Sequence, residues 1–271
     1  KGGFIVDIID KFMNGLKKLI PDDKLRYQII VEECLYFSDI NPTNIFICKL
    51  LIDPYNDYRL NYNEGNSLEL DIVKKWNIDG FDAIIGNPPY NSAGSIGTGN
   101  TIWQFFTFKS LKEWLLNNGY LLFVHPPGWR KPESARSKNK GLFKLMTNEN
   151  TLMYLSIHNS KDGMKTFKCG TKYDWYLICK NKNNNFKTVI IDEKKNELNI
   201  NLVNKPWINN YNIELLNKIL AKDGDEKCDI IYNRTNYDIE KKYIQKEKNE
   251  EFKYPVIHST TTNKIYYSNI N

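Results

Sequence analysis

One short apolar run closed by two consecutive prolines constrains the fold of this chain more than its composition does. It reads Asp82-Ala83-Ile84-Ile85-Gly86-Asn87-Pro88-Pro89-Tyr90-Asn91. The apolar part is of the kind that fills the middle of a parallel sheet. Pro88 and Pro89 carry no N–H for a ladder, so the strand must stop there. Pro88 also pushes Asn87 into an extended conformation. Asn87 is therefore held at the carboxyl end of a strand, the edge at which open α/β sheets bind ligands.

The surrounding pattern supports such a sheet. Residues 4–19 have apolar positions at helical spacing, and Pro21-Asp22-Asp23 breaks the helix. "CLYFSDINP" reads as a strand ending at Asp39, after which Pro42 opens a helix over "TNIFICKLLI". "YNEGNSLEL" reads as a turn or strand end, and "NPPYNSAGSIGTGN" as a loop. Residues 101–117 predict an apolar helix with Gly119 as its C-cap, followed by a buried strand over 119–127. "TLMYLSIHN" and "YDWYLICK" read as two strands joined by a polar loop. Alternating strands and helices predict a right-handed, mainly parallel α/β sheet with helices on both faces. After about residue 185 the chain turns Asn- and Lys-rich, which predicts a domain over 1–185 and the start of a smaller C-terminal unit over 186–271.

Composition excludes several classes. No apolar run approaches the roughly 20 residues of a membrane span. Cys34, Cys48, Cys169, Cys179 and Cys228 form no C-x-x-C pair, and His125, His158 and His258 are scattered, so no metal site is expected. Unpaired cysteines without a signal peptide fit a reducing compartment, the cytoplasm. The opening "KGGFIVDIID" has no initiator Met and reads as the start of a fragment. The net charge of +6 suits a polyanionic partner, and a Lys- and Asn-rich composition explains it equally well.

Asn87 and its neighbours suit one chemical task. An exocyclic amine on a planar ring becomes nucleophilic when both its hydrogens are accepted. The Asn87 side-chain oxygen can take one and the proline-locked carbonyl of Pro88 the other. Tyr90 can lie flat against the ring, a stacking contact of about 1–3 kcal/mol. With an electrophile in line with the nitrogen, this describes methyl transfer from S-adenosylmethionine to an amino group.

Asn87-Pro88-Pro89-Tyr90 matches in full the [NDS]-P-P-[YFW] signature of the amino-group DNA methyltransferases that make N6-methyladenine, and the chain resembles that restriction–modification family over roughly residues 1–180. The resemblance implies a Rossmann-like methyltransferase sheet. It places the acidic residue that holds the cofactor ribose at Asp39, followed by Ile40, in a segment similar to the second motif. "NEGNSLEL" resembles the third motif and puts Asn66 and Ser67 near the cofactor adenine, although many relatives carry Asp there. Lys1-Gly2-Gly3-Phe4 looks like the end of the glycine-rich cofactor loop, with Gly2 its second glycine, Phe4 its aromatic and the preceding strand upstream of residue 1. In "TFKCGTKYDWYLICK" the family's late aromatic falls on Phe167, Tyr173 or Trp175.

The basic stretch 129–144 follows a strand whose carboxyl end borders the site, which makes Arg130, Lys131, Arg136 and Lys138 candidates for phosphate contact. The glycine-containing loop 91–101 is a candidate lid. The implied activity is transfer to a flipped adenine of double-stranded DNA, in a bacterial or viral setting with a restriction endonuclease as partner or fused domain. Residues 186–271 would then begin the region that reads the DNA sequence. A protein-glutamine or RNA amino methyltransferase uses the same tetrapeptide, and a non-catalytic DNA-binding specificity protein is the reading from another class.

Overall fold

Asp39, Gly86 and His125 each close a strand, and these strands with their neighbours carry the architecture. The computed structural model describes residues 2–92, 100–131, 137–221, 224–226, 243–257 and 265–269. The chain divides into two compact units, Lys1–Lys218 and Ile219–Asn271.

Helix α1 (Gly3–Gly15) is followed by α2 (Asp23–Ile29), whose cap Asp22 accepts the Leu25 amide. A wider turn, Ile30–Cys34, leads into β1 (Tyr36–Asp39). Asn41 caps α3 (Pro42–Ile52) by accepting the Thr43 amide, with Pro42 at the first helical position. Strand β2 (Asn61–Glu64) pairs with β1 in parallel, Tyr36 opposite Asn61 and Asp39 opposite Glu64. A short helix α4 (Ile72–Trp76), ended by Asn77 in the left-handed region, leads to β3 (Phe81–Gly86).

The larger sheet has six strands in the order β3-β4-β6-β5-β7-β8. They are β3, β4 (Leu115–His125), β5 (Thr151–His158), β6 (Tyr173–Cys179), β7 (Thr188–Ile191) and β8 (Glu197–Ile200). The β3–β4 and β5–β7 pairs are parallel and the other three antiparallel, so the sheet is mixed rather than mainly parallel. Tyr36 at the start of β1 packs edge-on against Phe81 at the start of β3, with centroids 5.4 Å apart. The main core lies around Trp103, Leu121, Trp129, Leu155 and Tyr176, each at most 2% exposed. Burying such a side chain contributes about 1.5–3 kcal/mol.

Several expectations are corrected. Strand β3 is not buried in mid-sheet: β4 is its one ladder partner among the described residues, and Asp82, Ala83 and Ile85 are exposed. The helix predicted over 101–117 is α5 (Trp103–Lys109) with a wider turn to Trp114. Gly119 is therefore no C-cap but lies inside β4, where a Cβ would come within 3.0 Å of the Leu116 and Phe81 carbonyl oxygens. Between β5 and β6 runs a helix, α7, rather than a polar loop. It follows α6 (Leu142–Lys144) in chain order and spans Ser160–Phe167. The boundary expected at 185 falls inside the larger unit, because β7 and β8 continue the sheet beside β5. The smaller unit contains a three-stranded antiparallel sheet, β9 (Ile244–Gln245), β10 (Tyr254–Val256) and β11 (Tyr266–Ser268), in the order β10-β11-β9. Among the described residues no helix is long and apolar enough to cross a membrane.

Candidate functional site

The carboxyl end of β3 delivers the tetrapeptide as its sequence requires. Asn87 is exposed, Pro88 is buried and Tyr90 is half-buried, so the prolines anchor the turn while the amide faces outward. A Cβ on Gly86 would come within 3.1 Å of the Phe123 ring, which shows how closely the strand end lies on β4. The loop that follows is tied at its base. Ile102 N donates to Tyr90 O at 3.1 Å, Ser92 N to Asn100 O at 2.9 Å, and Asn91 bridges Thr101. The candidate lid itself, at residues 93–99, lies outside the described residues.

Just beyond Ile102 in the chain, Trp103 stacks on His125 with centroids 4.1 Å apart. His125 is fully buried at the end of β4. Its Nδ1 lies 2.9 Å from the Pro126 carbonyl, which only accepts, so Nδ1 carries the proton. Nε2 then accepts from the Tyr176 hydroxyl at 2.8 Å. Burial holds this imidazole neutral, with its pKa lowered to about 3. The Tyr90 hydroxyl is also buried and has no hydrogen-bond partner among the described residues. Its pKa rises to about 12, first through burial and then through nearby Cys169 and Tyr173.

The residues expected around a cofactor meet at the ends of β1 and β2. Asp39 closes β1, with Oδ1 accepting the Asn41 amide at 2.8 Å and Oδ2 the Asn44 side-chain amide at 2.9 Å. Gly65 N donates to Asp39 O at 3.0 Å, and the Ser38 and Ser67 hydroxyls lie 2.7 Å apart, which joins the two strand ends. Asn66 is exposed and engaged locally: its oxygen accepts the Leu68 amide at 3.1 Å and its nitrogen donates to Glu69 at 2.7 Å. It lines an open cavity of about 410 Å³ with Asn63, Gly65, Glu69, Asp71, Lys74 and Lys75. Gly2 caps α1 in the left-handed region, at φ 75°, where side chains are disfavoured. A Cβ there would lie 2.8 Å from Leu51 Cδ1 and 3.9 Å from Cys48 Sγ. Burial pushes the Cys48 thiol up, and Asp39 adds to the rise. Phe4 and Ile40 are exposed.

The phosphate candidates divide. Arg130 is corrected: it is 3% exposed and each of its guanidinium nitrogens is engaged within the fold. It grips Asp174 through Nε at 2.6 Å and Nη2 at 3.2 Å, and donates to Ile208 O at 2.9 Å and Asn210 Oδ1 at 3.0 Å. Trp129 Nε1 donates to the same carboxylate at 3.0 Å. Nothing of Arg130 is left for a phosphate. Lys131 and Lys138 are exposed, and Arg136 lies outside the described residues.

Of the three late aromatics, Tyr173 is buried and Trp175 stacks on Tyr154 at 4.6 Å, whereas Phe167 is half-buried and edge-on to Tyr173 at 4.9 Å. Sequence reasoning missed His158, which lies flat on Tyr173 at 4.3 Å with planes 3° apart. It also missed the cap of α7. The Asn159-x-x-Asp162 spacing is the signal that could have found it.

Residues 33–167 match the model of a family described as Eco57I restriction-modification methylase. No curated protein matches the chain. Among solved structures, the M protein of the type I restriction enzyme EcoKI is similar at 16% identity and a TM-score of 0.52, over 70% of this chain and 41% of that one. A modification subunit of a putative type I restriction enzyme from Vibrio vulnificus is 13% identical with a TM-score of 0.48, over 78% of this chain and 46% of its own. This chain thus spans less than half the length of either.

Proposed function

From the premise that residues 33–167 belong to the Eco57I restriction-modification methylase family, we propose that this chain is the catalytic part of a DNA adenine-N6 methyltransferase. The observation that carries the reading is the tetrapeptide itself, with an exposed Asn87 on a buried Pro88 at a strand end. S-adenosylmethionine supplies an electrophilic methyl group. The residues present fit it: Asp39 uses one bond per carboxylate oxygen and keeps lone pairs for ribose hydroxyls.

The substrate adenine is flipped out of the duplex, because the methylated nitrogen is otherwise held in the base pair. Asn87 Oδ1 and the Pro88 carbonyl accept the two amino hydrogens and draw electron density onto the nitrogen. Tyr90 lies against the ring and fixes its plane. With the donor bound, the nitrogen that Asn87 and Pro88 hold would be the group that takes its methyl, and because the amine proton can leave after transfer, no side chain need act as base. Lys131 and Lys138 supply phosphate contacts.

The test expresses the full-length protein in a host free of adenine methylation, beside Asn87→Ala. Nucleosides from hydrolysed genomic DNA are measured by mass spectrometry. Losing the amino-group acceptor should lower transfer about 10²–10³-fold, with donor binding unchanged by calorimetry. N6-methyladenine at equal levels from both proteins would refute the mechanism. None from a folded, donor-binding wild type would move the substrate to a glutamine amide or RNA.

A further inference from the structure

We infer that α7 and the segment leading from it into β6 carry a basic ridge that grips the sugar–phosphate backbone of duplex DNA beside the flipped base. The inference rests on DNA as the substrate and adds a surface that holds it.

Strand direction and register place the ridge. The β3–β4 and β5–β7 pairs are parallel and β6 is antiparallel to both β4 and β5, so β3, β4, β5 and β7 all run one way. Their carboxyl ends lie within about two residues of one another in register. Gly86 stands opposite Phe123, His125 and Ile157 both stand opposite Asp174, and Ser156 stands opposite Ile191. Asn87, which follows β3, therefore emerges at the same sheet edge as the segments that follow β4, β5 and β7. Helix α7 begins two residues after His158, and β6 begins at Tyr173, the register partner of His158. Residues 159–172 thus leave and rejoin the sheet at the edge that bears the tetrapeptide.

This excursion is basic. Lys161 and Lys165 are four residues apart on α7 and share a face, Lys168 follows as its C-cap, and Lys172 precedes β6. All four are exposed, and their ammonium groups form no ion pair among the described residues. The carboxylates at this edge are already engaged. Asp162 meets Lys195 of the β7–β8 turn at 3.1 Å, Asp174 is held by Arg130, and Asp192 accepts the Lys194 and Asn196 amides at 2.8 and 2.9 Å. Lys131, exposed after β4, extends the positive charge toward the tetrapeptide.

The ridge is also rigid. Asn159 accepts the Lys161 and Asp162 amides at 2.9 and 3.1 Å, and Asp162 returns a bond to the Asn159 amide at 3.3 Å, which fixes the first turn. A Cβ on Gly163 would overlap the Thr171 carbonyl oxygen, so glycine lets the exit segment lie directly on the helix. Three ladders separate β5 from β3, which puts them about 14 Å apart at about 4.8 Å per ladder. Phosphates follow at about 3.4 Å per nucleotide, so the ridge meets backbone about four nucleotides from the flipped base. Lysines at this reach hold the duplex without reading its sequence.

The test compares Lys161→Gln/Lys165→Gln with Lys182→Gln/Lys187→Gln in the full-length protein. Lys182 and Lys187 are exposed between β6 and β7, at the opposite edge of the sheet, and their loss changes net charge equally. Binding of a fluorescent DNA duplex is read by anisotropy between about 50 and 200 mM salt. The ridge variant should flatten the slope of log K against log salt by about 1.8, at about 0.9 for each phosphate no longer neutralised. The opposite-edge variant should leave the slope unchanged. Equal flattening by both would reduce the effect to net charge and overturn the ridge. No flattening by the ridge variant, or flattening with an RNA duplex alone, would overturn it too, as would a wild type that binds no duplex. Binding needs no methyl transfer. A wild type that binds DNA through the ridge and makes no N6-methyladenine would therefore refute the proposed reaction and leave the ridge standing.

Discussion

Replacing Arg130 by Met should destabilise the larger unit severely and leave phosphate contacts untouched. The side chains of Arg130 and Asp174 are 3% and 0% exposed, and the pair is bidentate. Removing one partner of such a pair leaves an uncompensated buried charge and costs about 3–5 kcal/mol. With a urea slope of about 2–3 kcal/mol/M, the midpoint should fall by about 1–2.5 M. Burial already pushes the Asp174 carboxyl up, against the pull of Arg130. Without the guanidinium, Asp174 holds its proton to still higher pH in the folded state, whereas the unfolded chain releases it near 3.9. The folded state then binds more protons, so the variant's stability must fall as pH rises from 4 to 8. Arg130→Met/Asp174→Leu should recover much of the loss, because an apolar pair leaves no charge behind. Chemical denaturation of wild type, the two single variants and the double variant at pH 5 and 8 reads all of this. An Arg130→Met protein within about 1 kcal/mol of wild type would refute the assignment of a buried, structural pair.

Tyr90→Phe removes a hydroxyl with no partner among the described residues, so it should be neutral or stabilising by up to about 1–3 kcal/mol in denaturation, with transfer retained because the ring remains. His125, neutral to about pH 3 in the fold, should make stability fall as pH drops below about 6.5, by at most about 1.4 kcal/mol per unit, since only the unfolded imidazole takes up the proton. His125→Asn should flatten that acid limb in the same denaturation series. Lys131→Ala and Lys138→Ala should each weaken DNA binding at low salt and make the salt slope shallower by about 0.9 for each phosphate no longer neutralised, whereas Arg130→Met should not.

Features set by neighbours in the chain were legible before the structure. Proline fixed the end of β3, and the Asp39-Ile40-Asn41-Pro42 series specified a strand end and a helix start together. Features set at a distance were not. Arg130 looks like one more cation in a basic run, and its partner Asp174 stands 44 residues away. The exposure of β3 depends on which strands flank it, which a six-residue pattern cannot state. Helix α7 was hidden by Gly163, a helix-weakening residue whose reason is the Thr171 carbonyl beside it. The extension of β4 back to Leu115 uses Asn118 in the left-handed region, at φ 66°, to pass what looked like a helix end.

The tie at the base of the Tyr90 loop has an engineering consequence. Tyr90 and Ile102 are joined by a backbone bond, Asn91 bridges Thr101, and Trp103 is locked on His125 immediately beyond. Those anchors close a bracket around the positions of Tyr90 and Trp103. Doubling the length of such a loop costs only about 0.6 kcal/mol in closure entropy. A longer chain between Ser92 and Asn100 should accordingly leave Asn87 and Tyr90 where the prolines and the bracket hold them.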